Sequence, residues 1–514
     1  MRTLRRLAAV WICKILIRAA KLFGKRGSAT PGKAALAVAP DILRHLAARV
    51  RRGIIVVCGT NGKTTTNNFI YTLLTAEGYK VVCNRVGANM LYGAVTAFAG
   101  AAKISGGLDA DFACIEVDEL SAVKVFAHFT PDCIVMTNLF RDQLDRYGEI
   151  DITFESLKRA AAMAGKAALV VNADDPLLAA FALQCLDAGA DSAPRACVYF
   201  GIDSVQDEGG SEHNFIGENS TLPAAGLPAS DPLSPAASAF DPPSSAAPSP
   251  AATVSGLPSP DSSSSCGTAR EGRFCRLCGE ELQYDVYYYS QMGHYSCPGC
   301  GFARPAPDYA AGNVRLRRGI SFDVGGERIG AESCRGLYNV YNMLAACAVL
   351  KQYNIRTDGM NEALAAYRPQ AGRMESFRIH NKDVVLTLSK NPAGFDQAIL
   401  ALLTDARTKA VVIVINDNAQ DGRDISWLWD VTFERLTRIP DIFVSGLRAH
   451  DMRVRMKYAG SCMEGVRLYP KIKDALSAAL ACDAEAVYML VNYTAVFGAH
   501  DLLRKMERKS KSKR

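Results

Sequence analysis

The chain has 514 residues, too many for one compact core, so about two to four domains are expected. Its composition is that of an ordinary globular protein, 49% apolar and 22% charged. No window after the first residues holds the ~18 uninterrupted apolar residues of a membrane span. The formal net charge of +7 is modest but uneven, because no acidic residue precedes Asp41 while both ends are rich in Lys and Arg. Such ends suit an anionic partner (a membrane surface, a phosphorylated lipid or a nucleic acid) or serve as solvated tails.

At the N-terminus the apolar stretch is broken by Lys14 and Arg18 and lacks a small-residue cleavage site, so it is not read as a secretion signal. At helical spacing Leu4, Ala8, Trp11, Ile15, Ala19 and Leu22 form one stripe, with Lys14, Arg18, Lys21 and Lys25 beside it. This basic amphipathic segment, taken as residues 1–45, either lies on a membrane or packs its stripe on the next domain. The chain is expected to be cytoplasmic, with any membrane contact at the inner face. Sixteen cysteines without a signal argue for a reducing compartment and against a disulfide scaffold. Cys58, Cys114, Cys133 and Cys347 stand in apolar runs and read as small core residues.

Short β-branched runs then alternate with helical patterns. Ile54–Val57, Ala168–Val171, Val411–Ile415, Ile442–Val444 and Val487–Val491 read as buried parallel strands. Thr65–Glu77, Phe154–Met163 and Val340–Gln352 read as helices between them. The fold class is α/β: a doubly wound central domain over 46–370 and a smaller α/β domain over 371–503, followed by a basic tail at 504–514. The interval 206–269 is expected to be a disordered insertion, because Pro, Ser and Ala dominate it and it has too little apolar surface to offset ordering.

Within the first strand–helix unit, Ile54-Ile-Val-Val-Cys-Gly-Thr-Asn-Gly-Lys-Thr-Thr-Thr66 is a strand, a glycine turn and a helix start. Gly59 and Gly62 let backbone N–H groups close around phosphate oxygens. Lys63 is placed to reach the β- and γ-phosphates and the Thr64 hydroxyl to ligate Mg²⁺, with Thr60, Asn61 and Thr65 completing the loop. The helix start adds its positive dipole. The strict pattern would have glycine where this chain has Val57, so the turn is a variant.

Further on, Cys275-Arg-Leu-Cys278 and Cys297-Pro-Gly-Cys300 form two Cys-x-x-Cys knuckles, each followed by a glycine. Four thiolates at this spacing can converge on one structural Zn²⁺, giving a zinc ribbon over 271–304 with Tyr284–Tyr289 as one of its strands. His294 is a spare ligand or a loop histidine.

The nucleotide loop resembles that of the Mur ligase superfamily, and other segments follow in that family's order. Thr137-Asn-Leu-Phe-Arg-Asp-Gln-Leu-Asp-Arg-Tyr-Gly148 is similar to its second signature, which puts Asn138 at the adenine-contacting position. Ile115-Glu-Val-Asp-Glu119 is similar to the segment that carries a Mg²⁺-ligating glutamate, here Glu116. Asn339 and Asn342 match the helix closing the central domain, and Gly372-Arg-Met-Glu375 the arginine motif that would bring Arg373 to the ATP phosphates. The resemblance implies ATP and Mg²⁺, and a carboxylate activated as an acyl phosphate.

An inserted zinc ribbon is similar to the MurT branch of that superfamily, synthetase subunits of lipid II isoglutaminyl synthase. Those subunits amidate the α-carboxylate of D-glutamate in the lipid II stem peptide, with ammonia from a separate glutaminase, GatD, in a heterodimer. Thr387-Leu-Ser-Lys-Asn-Pro-Ala-Gly394 stands where amino-acid-adding ligases have Asp-Tyr-Ala-His-Asn-Pro, so Lys390 is a candidate phosphate contact. Ile415-Asn-Asp-Asn-Ala-Gln-Asp-Gly-Arg-Asp-Ile-Ser-Trp-Leu-Trp-Asp430 lacks the Asp-Asn-Pro-Arg that binds an incoming amino acid's carboxylate, which fits ammonia as donor. The resemblance implies that Asp421, or second Asp424, completes the partner's Cys-His triad; both aspartates otherwise cap a helix start. Trp427 and Trp429 suggest a strand edge, an interface or core packing. The rival readings are an amino-acid-adding muramyl or folylpolyglutamate-type ligase, and a nucleotide-controlled zinc-ribbon protein that binds nucleic acid.

Overall fold

The computed structural model describes residues 2–23, 27–85, 88–142, 150–187, 196–206, 272–316, 319–356 and 359–512. The insertion expected at 206–269, save Gln206, lies outside them, as do Lys25 and the second half of the 137–148 signature.

Three helices open the chain, α1 (Arg2–Leu22), α2 (Thr30–Val38) and α3 (Ile42–Ala47). A nine-stranded sheet follows, in the order β11-β10-β9-β6-β5-β4-β1-β3-β2. Its strands are β1 (Val50–Cys58), β2 (Val81–Cys83), β3 (Ala110–Glu116), β4 (Cys133–Met136), β5 (Ala168–Asn172), β6 (Cys197–Ile202), β9 (Tyr309–Arg315), β10 (Ile320–Val324) and β11 (Glu327–Ala331). The strands from β2 across to β9 are parallel, and β10 and β11 add an antiparallel edge. Ile54–Cys58 is buried on both faces, as a parallel strand with helices on each side requires. One face packs on α4 (Lys63–Ala76) and the helix Tyr338–Gln352, the other on α5 (Leu91–Ala101), α6 (Ala122–Phe126) and the helix Ile150–Met163. The four cysteines read as core residues are all buried.

A hairpin, β7 (Gln283–Tyr289) and β8 (Met292–Ser296), forms the ribbon, so the Tyr-rich run is a strand as expected. The second sheet has the order β12-β13-β17-β14-β15-β16, from β12 (Arg373–Ile379), β13 (Lys382–Leu388), β14 (Lys409–Val414), β15 (Asp441–Ser445), β16 (Val466–Leu468) and β17 (Ala486–Val491). Only β12 runs antiparallel to its neighbour.

Of the two alternatives for the α1 stripe, packing on the domain is not what the structure has: Leu4, Trp11, Ile15 and Leu22 are exposed, and Trp11 among them donates its indole N–H to the Ile104 carbonyl of the domain. The opposite face docks instead, through Ala9, Val10 and Cys13, because small side chains let α1 lie close against α2 and α5. The same economy acts at Gly32 of α2, where a Cβ would meet the Tyr92 carbonyl of α5 at 1.9 Å. The basic residues after 503 are no separate tail either. They continue the C-terminal helix Tyr493–Lys511, which docks on β12: Glu507 accepts the Arg378 N–H at 3.0 Å and Ser510 that of His380 at 3.1 Å. Among the described residues, no helix is long and apolar enough to cross a membrane.

Candidate active site

The chain leaves β1 to β2 on one side, whereas β4 lies on the other, so the loop after β1 opens at the sheet's topological switch point. Gly59 and Gly62 there have φ of 118° and 84°. Both must lack a side chain, since a Cβ would meet Thr137 Oγ1 at 2.3 Å in the first case and Asn342 Oδ1 at 2.2 Å in the second. The loop is braced from all sides. Asn61 N–H donates to Asn138 Oδ1 at 2.8 Å, and Asn138 Nδ2 donates back to the Asn61 carbonyl at 3.1 Å. Thr60 Oγ1 exchanges hydrogen bonds with Phe140, and Thr66 Oγ1 donates to Asn342 Oδ1 at 3.1 Å. Asn339 in turn accepts from Asn342 Nδ2 at 2.9 Å. Thr65 is buried at the first turn of α4.

Lys63 is almost fully buried, and its ammonium lies 3.1 Å from Glu119 Oε1. Burial alone would push that ammonium down, but Glu119, Asp118 and Glu116 around it raise it above an ordinary lysine, so it stays charged. Glu116 stands at the end of β3, with Oε1 3.4 Å from Asn89 Nδ2. Burial pushes its carboxyl up, and Lys63, Thr64 and Arg373 draw it only part of the way back. Its Oε2 is buried without a hydrogen-bond partner. A carboxylate oxygen left unsatisfied beside the Thr64 hydroxyl is the arrangement a hard divalent cation would complete.

The second sheet supplies the other wall. Arg373 Nη2 lies 3.5 Å from Thr64 Oγ1. Asn391 caps the helix Pro392–Leu403 through Gly394 N–H at 2.9 Å and pairs its amide with Asn61 at 3.2 and 3.3 Å. Lys390 forms an ion pair with Asp142, across from the nucleotide loop. Between these walls lies a cleft of about 940 Å³, room for a nucleotide and a second substrate. Lys63, Thr64, Glu116, Arg373 and Lys390 all line it.

The four cysteine sulfurs lie within 4.8 Å of one another, Cys275–Cys300 at 3.6 Å and Cys278–Cys297 at 3.4 Å. Those separations are near the ~3.8 Å edge of a tetrahedron with Zn–S bonds of ~2.3 Å. Each knuckle is closed by a glycine with positive φ, Gly279 donating to the Cys275 carbonyl at 2.9 Å and Gly301 to that of Cys297 at 3.0 Å. His294 is in β8, with Nε2 2.8 Å from the Ile202 carbonyl, and takes no part in the cluster. The ribbon packs into the end of the main sheet: Tyr288 donates to the Ile202 carbonyl at 2.9 Å and Tyr295 to that of Ala173 at 3.0 Å.

Asp421 is buried at the carboxyl ends of β14 and β17. Its Oδ1 accepts the Thr494 N–H at 2.8 Å, and its Oδ2 accepts the Thr494 hydroxyl. It thus holds the start of the C-terminal helix. Asp424 is half-buried and accepts Ser426 N–H at 2.8 Å and Ser426 Oγ–H at 2.9 Å. Trp427 and Trp429 share a short 3₁₀ turn rather than a strand edge. Trp427 packs on Phe395 in the core, while Trp429 is exposed against Tyr458.

Several residues at the site carry no sequence signal of their own. Glu119, buried behind the cleft as the partner of Lys63, is in sequence only one of three nearby acids. The Glu375 carboxylate lies 3.4 Å from His500 Nε2 and 3.9 Å from Arg504, and all three line the cleft. The spacing of Tyr493, Phe497, His500 and Arg504 marks one face of a helix, but only the fold turns that face to the nucleotide loop.

Comparison with known proteins extends the likeness to about nine tenths of the chain. Residues 57–208 match the Mur ligase middle domain and residues 388–496 the MurT ligase C-terminal family. Over 458 residues the chain is 32% identical to the lipid II isoglutaminyl synthase (glutamine-hydrolyzing) subunit MurT of Staphylococcus aureus strain COL, covering 89% of this chain and 88% of that one. It is 30% identical over 482 residues to the protein of the same name from Streptococcus pneumoniae strain ATCC BAA-255 / R6, with 93% and 92% covered. The fold is also that of a pseudomurein peptide ligase type C from Methanothermus fervidus, at a TM-score of 0.61 and 20% identity over 90% of this chain and 80% of that one. A likeness of 30–32% identity over about nine tenths of the chain, with the middle-domain and the C-terminal families both matched, makes this chain a member of the MurT family of the Mur ligase superfamily.

Proposed function

We propose that this chain is the synthetase half of an ATP-dependent amidating enzyme of peptidoglycan biosynthesis. Its substrate would be the α-carboxylate of D-glutamate in the stem peptide of lipid II, reached at the inner face of the membrane. Ammonia would come from a separate glutaminase of the GatD type. The observation that carries this reading is the single cleft that joins Lys63, Thr64 and Glu116 to Arg373 and Lys390 of the second sheet. The names of the relatives supply the amidation and the lipid-linked substrate.

Activating a carboxylate brings two anions together, so the cleft must first neutralise charge. Lys63 would leave Glu119 for the β- and γ-phosphates, Arg373 would face the γ-phosphate, and Lys390 would add a third cation. Thr64 and Glu116 would hold Mg²⁺, which when bound supplies further neutralisation of the phosphates. Asn138 would face the adenine from its place against Asn61. A carboxylate oxygen attacks the γ-phosphorus and ADP departs, leaving an acyl phosphate. Ammonia then adds to the carbonyl carbon, gives up a proton, and the C–O bond to phosphate breaks to leave the amide.

Cys275, Cys278, Cys297 and Cys300 would bind one structural Zn²⁺, since four thiolates leave no position for substrate. Asp424 is the better candidate for the carboxylate lent to the partner's catalytic pair. Both carboxylates have their two oxygens engaged, Asp421 by Thr494 and Asp424 by Ser426, but Asp421 is buried whereas Asp424 is half-buried and its Ser426 partner is exposed. The exposed Trp429–Tyr458 pair, five residues along the same segment at Trp429, suits a protein interface. Purified chain supplied with a muramyl stem peptide, ATP and ammonium salt should release ADP in step with amide. Release that requires an amino acid instead of ammonium would overturn the reading.

A further inference from the structure

The helix α1 carries apolar side chains on two opposite faces, and only one of them is covered. Ala9, Val10 and Cys13 are buried against the domain, while Leu4, Trp11, Ile15, Leu22 and Phe23 point the other way and are exposed. Ile104, itself exposed, adds to that outer face, because Trp11 Nε1 donates to its carbonyl at 2.8 Å. The exposed part of α1 is cationic: Arg2, Arg5, Arg18 and Lys21 are exposed, Lys14 turns inward to donate to the Gly100 carbonyl at 2.6 Å, and no acid occurs before Asp41. That first acid is already spent on Arg6, which lies on the covered side. Beyond Phe23 the chain reaches Ala29, which lines the cleft.

We propose that the outer face of α1 docks on an anionic lipid bilayer and so sets the mouth of the cleft against the membrane. Charge complementarity chooses this occupant: an apolar ridge edged by lysine and arginine, without a single carboxylate, fits phosphate headgroups above an acyl layer. The helix lies in the surface, since six basic residues in 21 forbid it to cross. A Trp beside branched aliphatic side chains suits the headgroup boundary. The proposal rests on the reading of the substrate as lipid-linked for its purpose, but not for its geometry.

The test is sedimentation of the full chain, together with its glutaminase, on vesicles with and without phosphatidylglycerol. The complex should sediment with the anionic vesicles, far less with pure phosphatidylcholine, and less as salt rises. Leu4→Glu/Ile15→Glu/Leu22→Glu should weaken partitioning on the order of 100-fold or more. Arg5→Gln/Arg18→Gln/Lys21→Gln should weaken it by a similar order, about fivefold per charge, without touching the apolar ridge. Both variants should keep the parental melting temperature and the parental rate of ammonium-driven amidation on a lipid-free stem peptide. A parental complex that ignores anionic vesicles, or variants that bind as the parent does, would overturn the proposal. So would loss of the glutaminase from the triple-Glu variant, which would make the ridge a protein interface. Failure of the parental chain to amidate the soluble peptide would instead count against the proposed reaction and leave the vesicle result standing.

Discussion

Gln291, at the tip of the ribbon hairpin, donates its side-chain amide to Asp175 Oδ1 and to the Leu139 carbonyl, each at 2.8 Å. Asp175 completes the loop by accepting the Leu139 N–H on Oδ2 at 2.7 Å. Leu139 follows Asn138, which braces Asn61 of the nucleotide loop. The hairpin whose base carries the cysteine cluster is therefore tied at its tip, through buried hydrogen bonds, to the place where the nucleotide would sit.

Cys275→Ser/Cys278→Ser is accordingly expected to do two things. It should remove the one Zn²⁺ expected per chain, read by metal analysis of purified protein. It should also raise the KM for ATP by about tenfold, as the loss of a supporting network commonly does at a metal site. An unchanged KM with the metal gone would mean that the ribbon folds without reference to the loop.

Lys63→Ala should abolish ATP turnover, because the γ-phosphate loses its buried cation. The ion pair adds a second consequence. Removal of the ammonium strands Glu119 in a buried position, a change that typically costs about 3 kcal/mol or more. Lys63→Ala/Glu119→Gln should recover much of that stability and none of the activity. Thermal melting beside an ADP-release assay checks both halves.

Burial pushes the Asp175 carboxyl up to about 6, against the hydrogen bonds from Gln291, Leu139 and Leu177 that pull it down. A carboxyl raised on folding binds its proton more tightly in the folded state. Its stabilising contribution is therefore present below the unfolded value of ~3.9 and is lost as pH rises through about 6. The advantage of the parent over Asp175→Asn should be larger at pH 4.5 than at pH 7.5, by about 2 kcal/mol. Denaturant unfolding of both proteins at the two pH values measures it, and an advantage that grew with pH would reverse the sign.

Asp424→Asn should cripple glutamine-dependent amidation, on the order of 10³–10⁴-fold by analogy with other triads, and spare the reaction driven by ammonium. Asp421→Asn should instead lower the melting temperature, because it weakens the acceptor at the start of the C-terminal helix. A selective loss in Asp421→Asn with the melt unchanged would exchange the two roles.

Periodicity and β-branched runs locate five strands, β1 and β5 of the first sheet and β14, β15 and β17 of the second, because buried parallel strands are apolar throughout; the other strands of the two sheets do not stand out in this way. The nucleotide loop was legible for a related reason: Gly59, Gly62, Lys63 and Thr64 are adjacent in sequence, so the chemistry is local. The α1 contact was not. Its large side chains make the conspicuous stripe, yet close approach is decided by the small ones, Ala9 and Cys13, which no moment or spacing singles out. Glu119, Gln291 and His500 escaped because each acts on a residue brought near only by tertiary folding. The helical character of residues 504–511 was masked by their charge, which suits a tail as well as an exposed helix face.

Asn342 has one more consequence, which concerns synthesis of the chain. It accepts the Thr66 hydroxyl and fills the space over Gly62, although it lies 276 residues from Thr66. At ~5–20 residues per second, its arrival on the ribosome trails the loop by roughly 15 to 55 s. Until then the glycine turn has no roof, and the buried face of α4 that the helix Tyr338–Gln352 will cover stays wet. A nascent chain can lay down β1 to β6 in order, but it cannot close a nucleotide site. ATP should therefore rescue folding only of chains already released past residue 342, and a ribosome stalled before that point would display a sheet that nucleotide does not stabilise.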